Sequence, residues 1–245
     1  MSSMHTQALE LAIFADPDLE LWGVLAIDQR ASLAVGGLHA GILKPMPVDV
    51  AVDAEAWMLT GAGCELQVTP TPAGSATTDA AAIEPCQVLG TLVIGGATRK
   101  LQGIGTRGAL ALPQDGGSLR LFGSWFPAGQ ELGLLATRRR GASSGEGDEI
   151  SVTARGEEQP LVIDPRLSTT YNGAGEPVRV GIELWLGASE DDEDGLRGRR
   201  VAGRAGGSSV AIGALRAYAF DCVTRGEPGP GVYVLASPRS EPANT

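Results

Sequence analysis

The chain has 245 residues, of which 43% are hydrophobic, and it carries a formal net charge of −10. A surface of this sign repels phosphate backbones and anionic lipids, so we expect no nucleic acid and no membrane surface among its partners. The 35 glycines and 15 prolines favour short strands and turns over long helices. No run approaches the roughly 20 apolar residues that span a bilayer as a helix.

The first predicted strands form hairpins. Ala8 to Phe14 is followed by a turn at Asp16-Pro17-Asp18 and by Leu19 to Ile27 as the partner strand. Trp57 to Leu59 and Cys64 to Val68 have the same pattern, with glycines between them. The alternation of apolar and polar residues along these segments predicts half-buried strands.

A segment rich in Pro, Thr, Ala and Gly follows, from Thr69 to Ala82. Such a composition is typical of a connection between units rather than of a strand or helix interior. It predicts a division of the chain into an N-terminal β half, residues 1–84, and a C-terminal β half, residues 85–245.

Beyond this division, Cys86 to Ile94 and Ala97 to Gly105 predict a hairpin that turns at Gly95-Gly96. The clearest alternation runs from Val178 to Leu186, with Val, Ile and Leu at every second position. About fifteen such strands at a spacing of roughly 8–12 residues predict an all-β barrel or sandwich.

Three short stretches repeat the order apolar, charged, Leu, aromatic, with Gly close behind. They are Leu19 to Gly23, Leu119 to Gly123 and Ile182 to Gly187. The repetition indicates that one kind of sheet face is used more than once in the fold.

The segment from Val88 to Arg107 resembles the hinge between the two halves of carotenoid 1,2-hydratase-like and AttH-like proteins. It has a strand, a Gly-Gly turn, a second strand and the run Gly-Ile-Gly-Thr-Arg. The resemblance covers residues 85 to 236, with further support from Trp125, Pro165 to Tyr171 and Gly229 to Tyr233. It implies two lipocalin-like β-barrel halves and a pocket for an isoprenoid- or polyketide-like molecule, and some relatives act as hydratases or pericyclic cyclases.

The chain departs from the family pattern directly after Arg107. Gly108, Ala109 and Ala111 stand where the family places Asp, His and Trp. If the chain follows the family elsewhere, it lacks the polar cluster that the family has in its cavity.

The predicted ligand site combines two kinds of evidence. Arg179, Glu183 and Trp185 alternate on one face of the clearest strand, and this face either lines a cavity or contacts solvent. The resemblance places Arg107 and Trp125 among the cavity residues. We therefore predict these five residues as a ligand-binding site, with Arg179 or a ligand donor beside Glu183 if that carboxylate is buried.

Other candidate sites have weaker support. His39 lies in a Gly-rich turn, and the acidic run from Glu190 to Asp194 lacks the alternating ligand spacing of a calcium loop. Cys64, Cys86 and Cys222 are too few and too widely spaced for a disulfide framework, which favours a reduced cytoplasm. We expect no metal and no cofactor.

The sequence thus predicts binding of an apolar small molecule in a β-barrel cavity. Two alternatives stay open: a hydratase, isomerase or cyclase that acts on such a ligand, and a non-catalytic structural or assembly protein. In the last case, strand faces with Trp22 and Trp185 would be buried against a partner.

Overall fold

The protein is all-β. The computed structural model describes residues 9–28, 30–53, 56–61, 63–72, 74–79, 81–111, 117–138, 148–155, 161–162, 164–187 and 197–236. Within these ranges the one helical element is a 3-10 turn at Pro127–Gly129. The strands form two nearly closed antiparallel, barrel-like sheets, which confirms the predicted fold class. No described helix has the length and apolar character that a membrane span requires.

The first sheet has ten strands in the order β4-β3-β2-β1-β10-β9-β7-β6-β5, with β8 paired to β9. The predicted hairpins are present as β1–β2, β6–β7 and β9–β10. The strands are β1 (Leu9–Asp16), β2 (Leu21–Ile27), β3 (Ala31–Gly37), β4 (Met46–Pro47), β5 (Asp49–Val52), β6 (Trp57–Gly61), β7 (Cys64–Pro70), β8 (Ala76–Thr78), β9 (Ala81–Ile94) and β10 (Ala97–Leu110).

The second sheet has nine strands in the order β13-β12-β11-β19-β18-β17-β16-β14, with β15 paired to β16. The strands are β11 (Ser118–Phe126), β12 (Gln130–Arg138), β13 (Asp148–Arg155), β14 (Leu161–Val162), β15 (Arg166–Tyr171), β16 (Pro177–Gly187), β17 (Arg197–Ile212), β18 (Leu215–Thr224) and β19 (Glu227–Ala236).

The two sheets share one connection pattern. In each, the first strand lies in the middle, between the second strand and the last one: β1 between β2 and β10, and β11 between β12 and β19. Leu9 is therefore opposite Leu110, and Leu119 is opposite Ala236. The chain enters and leaves each sheet at neighbouring positions.

The sheet boundary and the predicted domain boundary lie at different points in the sequence. The hairpin β9–β10 turns at Gly95 and Gly96, whose φ values of 59° and 82° suit glycine, and both of its strands belong to the first sheet. The change of sheet falls between Leu110 and Ser118. The division into domains at residues 84 and 85 stays a prediction.

A shared apolar core holds the two sheets together. On β1, Leu11 and Ile13 point into this core, whereas Ala12 and Phe14 point into the interior of the first sheet. On β11, Leu121 lies in the shared core and Phe122 in the interior of the second sheet. The central strands are therefore buried on both faces, and each sheet also has a core of its own.

Hydrogen bonds reinforce this contact. The indole Nε1 of Trp22 donates to the hydroxyl of Ser208 at 3.0 Å and to the carbonyl of Gly37 at 3.2 Å. Close by, the amide of Leu43 donates to the carbonyl of Ser209 at 2.7 Å. The loop that follows β3 is thus attached to β17 of the second sheet.

We expect Leu121→Ala to lower the free energy of unfolding by about 2–5 kcal/mol, because it opens a cavity in the shared core. Leu89→Ala is the matched control, since the same change on an exposed side chain should cost under about 0.5 kcal/mol. Urea unfolding measures both. Equal midpoints for the two variants would contradict the placement of the shared core.

Candidate functional site

Three of the five predicted site residues lie on the outer face of β16. Trp185 is 41% exposed, and Arg179 and Glu183 are also exposed. The carboxylate of Glu183 is 3.8 Å from Arg200 Nε on the neighbouring strand. The opposite face of β16 carries the apolar residues that point inward, so the charged and aromatic face contacts solvent.

The other two residues are buried in different places. Trp125 lies in the shared core with 1% exposure, and Arg107 points into the interior of the first sheet. The structure therefore does not bring the five residues together. Their common role in ligand binding stays a prediction.

Arg107 contacts three groups of the protein. Its Nε donates to Glu84 Oε1 at 2.8 Å, Nη1 donates to the carbonyl of Val68 at 3.5 Å, and the guanidinium lies 5.0 Å from the Trp57 ring centroid. An ion pair and a cation–π contact compensate the burial of its charge. This arrangement fits a structural role at one end of the first sheet.

The interior of the second sheet contains a different group of polar side chains. The Tyr233 hydroxyl is 3.1 Å from the Tyr171 hydroxyl and 3.4 Å from Thr169 Oγ1. Tyr171 and Thr169 belong to β15, which β16, β17 and β18 separate from β19 in the sheet. These hydrogen bonds therefore cross the interior and join distant strands of the curled sheet. We call this group, with the nearby Tyr218, the tyrosine end.

Arg120 and Asp148 lie at the same end of the sheet. Arg120 Nη2 donates to Asp148 Oδ2 at 2.5 Å, and both side chains are largely buried. The Arg120 charge also acts on Tyr233, which places the pair beside the tyrosine end. Most polar groups here have a partner. Among the described residues, Arg120 Nε and Asp148 Oδ1 have no hydrogen bond, although Arg138 Nε lies 4.0 Å from Asp148 Oδ1.

Aromatic rings occupy the middle of this interior. The centroid of the Phe122 ring is 6.3 Å from that of Phe220 and 6.4 Å from that of Tyr233, and the Phe220 and Tyr233 centroids are 6.0 Å apart. Ser124 shares the interior face of β11 with Phe122. Its hydroxyl is buried and has no hydrogen-bond partner within the described part of the chain.

Burial changes the acidity of several groups. It raises the pKa of Tyr233 well above the ordinary tyrosine range, and the neighbouring Tyr171 raises it further. Burial also raises the pKa values of Tyr218, Cys86 and Cys222. Tyr233 and Tyr218 are thus neutral hydrogen-bond donors at physiological pH, and the two thiols are poor nucleophiles.

The tyrosine end was missed in the sequence analysis, although one signal was present. The chain has three tyrosines, and all three meet there. Arg120 interrupts the apolar run of β11 on the same face as Phe122. A charged residue within such a run is a marker of a polar contact inside a sheet.

The weaker candidates have clear outcomes where the structure describes them. The three cysteines are free and buried, as expected of small apolar residues. His39 is exposed, and its Nδ1 is 2.6 Å from the carbonyl of Gly206. Within the described ranges, no group of three His, Cys, Asp or Glu side chains could hold a metal ion. The acidic run 190–194 lies outside the described residues.

No protein-family model and no curated protein matches the chain. Among solved structures, a provisionally assigned AttH from Nitrosomonas europaea has a similar fold, with a TM-score of 0.51 and 10% sequence identity. The match covers 94% of this chain and 92% of that chain. It confirms the resemblance to AttH-like proteins in fold, and it extends beyond the segment 85–236 that carried the resemblance.

We expect alkaline pH to destabilise the protein partly through Tyr233. In the unfolded chain this tyrosine ionises near pH 10, whereas its folded pKa is higher. Its contribution to stability is therefore complete below about pH 10 and is lost as the pH rises further. Tyr233→Phe should be about 1 kcal/mol less stable than the wild type at pH 8, because a hydrogen bond is lost.

The stability difference between the wild type and Tyr233→Phe should shrink by pH 11. Ionisation of Tyr233 in the unfolded state destabilises only the wild type, since phenylalanine cannot ionise. Urea midpoints at pH 8, 10 and 11 measure it. A stability difference that stays constant from pH 8 to pH 11 would show that folding does not raise the pKa of Tyr233.

Proposed function

We propose that the second sheet binds a mostly apolar small molecule in its interior. The observation that carries this proposal is the Ser124 hydroxyl, which is buried on an interior face beside Phe122 without a hydrogen-bond partner. A buried hydroxyl without a partner costs about 1–3 kcal/mol in proteins. A ligand with a carbonyl or hydroxyl group would supply the missing hydrogen bond.

The surroundings of Ser124 suit an apolar ligand. Phe122, Phe220 and Tyr233 present ring surfaces to the same interior, and apolar residues of β16 and β17 complete its wall. Binding sites for small molecules are typically lined by apolar and aromatic side chains with a few polar groups. The AttH-like fold supports this proposal by analogy of architecture.

The enzymatic alternative, a hydratase, isomerase or cyclase, would use the same interior. Tyr233 and Tyr218 would then act as neutral hydrogen-bond donors, since burial raises the pKa of both. The three free cysteines support a reducing compartment, and we propose the cytoplasm.

All-trans-retinol is a suitable neutral probe, because it is fluorescent, largely apolar and carries one hydroxyl group. We expect it to bind the wild type with a dissociation constant below about 100 μM, which corresponds to more than about 5 kcal/mol of binding free energy. Ser124→Leu should abolish binding, because the larger side chain fills the interior. Ser168→Leu is the matched control, since Ser168 is exposed on β15 and the variant should bind as the wild type does.

Ser124→Ala tests the same position without filling it. It should keep the fold and weaken retinol binding by about five- to tenfold, as the loss of one hydrogen bond predicts. Circular dichroism checks that each variant is folded. If the wild type binds no retinol, or if Ser124→Leu and Ser168→Leu bind it equally, the proposed function is wrong.

A further inference from the structure

Arg199 lies on the interior face of the second sheet, near the start of β17. It shares that face with Val201, and its cross-strand neighbour on β16 is Leu184. Val201 and Leu184 both belong to the interior core of this sheet. Arg199 itself is only 8% exposed, so its charge is held at the edge of an apolar interior.

The guanidinium of Arg199 has unused hydrogen-bond donors. Its Nε and Nη2 atoms are buried and have no hydrogen-bond partner among the residues that the structure describes. The other buried arginines differ, since Arg107 has the carboxylate of Glu84 at 2.8 Å and Arg120 has that of Asp148 at 2.5 Å. A buried charge without a hydrogen-bonded counter-charge is costly, so the absence of such a group for Arg199 among the described residues points to a partner from outside the chain.

The two unused atoms lie on one edge of the guanidinium. Nε–H and Nη2–H point in parallel, and this edge matches the two oxygens of a carboxylate through paired hydrogen bonds. A single carbonyl oxygen can accept from both atoms only through bent hydrogen bonds, whereas a carboxylate gives each atom an oxygen of its own. The free edge therefore favours a planar anion with two oxygens.

Two charged neighbours act on Arg199 in opposite directions. Burial lowers the pKa of Arg199, and the charge of Arg225, in the turn between β18 and β19, lowers it further. Glu227 raises the pKa, but it accepts no hydrogen bond from the two buried nitrogens. Neither neighbour therefore pairs with the free edge of the guanidinium.

The two ends of this interior differ in whether their polar side chains have hydrogen-bond partners. At the tyrosine end, Tyr233 is hydrogen-bonded to Tyr171 and Thr169 across the interior. Arg199 lies at the opposite end, near the β18–β19 turn. Along β17, the six steps from Arg199 to Ala205, which is opposite Phe220, span about 20 Å. A long apolar molecule suits this distance better than a small acid does.

We propose that Arg199 binds the carboxylate of the ligand, so that the ligand class is an apolar carboxylic acid. The hydrocarbon part lies along the interior of the second sheet, towards Phe122 and Phe220. This inference rests on the proposed function, because it names the ligand class of the same interior. It assigns the anion-binding role to a residue that has no other partner in the described structure.

The test compares three probes with one hydrocarbon skeleton: all-trans-retinoic acid, its methyl ester and retinol. We expect the wild type to bind the acid at least about tenfold more tightly than the ester or the alcohol, as a buried hydrogen-bonded charge predicts. Arg199→Met should remove this preference and leave the binding of the ester and the alcohol within about twofold of the wild type.

Arg200→Met is the matched control. Arg200 is the next residue on the same strand, but it is exposed and faces outward, with Glu183 3.8 Å away. The variant has the same change of charge and should keep the full preference for the acid. Arg199→Lys retains the charge but loses the two parallel N–H donors. Its preference for the acid should therefore lie between that of the wild type and that of Arg199→Met.

The stability of the ligand-free variants separates binding from a structural role. We expect Arg199→Met to unfold at the wild-type urea concentration or above it, because the variant removes a buried charge that has no partner. Arg107→Met should unfold at a clearly lower concentration, since it leaves Glu84 and Trp57 without their contacts. If Arg199→Met is destabilised as strongly as Arg107→Met, or does not fold, the proposal is overturned.

The binding outcomes distinguish the two proposals. If the acid, the ester and the alcohol bind equally well, Arg199 does not bind a carboxylate, while the proposed apolar site is retained. If none of the three binds the wild type, both proposals fail. Loss of the preference in Arg200→Met as well would assign the effect to surface charge and would also overturn the role of Arg199.

Discussion

The packing of one sheet against the other is the constraint on which the whole structure depends. Each sheet encloses an interior, and the same central strands must also cover the neighbouring sheet. Along β1 and β11, consecutive residues therefore enter two different cores, as Ile13 and Phe14 do on β1 and Leu121 and Phe122 on β11. Strands of this kind are apolar on both faces, unlike strands with one solvated face.

The same packing explains where polar groups are tolerated. The shared core admits Trp22 because its indole nitrogen reaches Ser208 and the carbonyl of Gly37. The interior of the first sheet admits Arg107 because Glu84 neutralises it. Among the described residues, the interior of the second sheet is the exception, since Ser124 and Arg199 retain unused hydrogen-bonding atoms. This difference is the physical reason why the proposed ligand site lies in the second sheet rather than the first.

Much of the fold could be predicted from local patterns. Hairpins such as β1–β2 and β9–β10 have alternating residues and turn residues that specify them without reference to the rest of the chain. The clearest alternation, along β16, also identified its buried face correctly, because Ile182 and Leu184 point inward. Which strands lie at the centre of a sheet is set by long-range pairing, and no local pattern encodes it.

The candidate site could not be predicted in the same way. Alternation shows that Glu183 and Trp185 share a face, but the direction of that face depends on which way the sheet curls. Trp125 is apolar in sequence whether it lines a cavity or packs between sheets. The tyrosine end joins Tyr171 on β15 to Tyr233 on β19, and only the curl of the sheet brings these two strands near each other.

The central position of β19 has a consequence for the order in which the protein can assemble during synthesis. The first sheet is complete once the ribosome has released Leu110, yet the outward apolar side of β1 and β2 still lacks its cover. That cover includes β19, the last of the described strands, which lies between β11 and β18. The first sheet of a nascent chain therefore keeps an exposed apolar surface until β19 has been synthesised. Such an intermediate is prone to aggregate, and a chaperone that shields apolar surface would protect it.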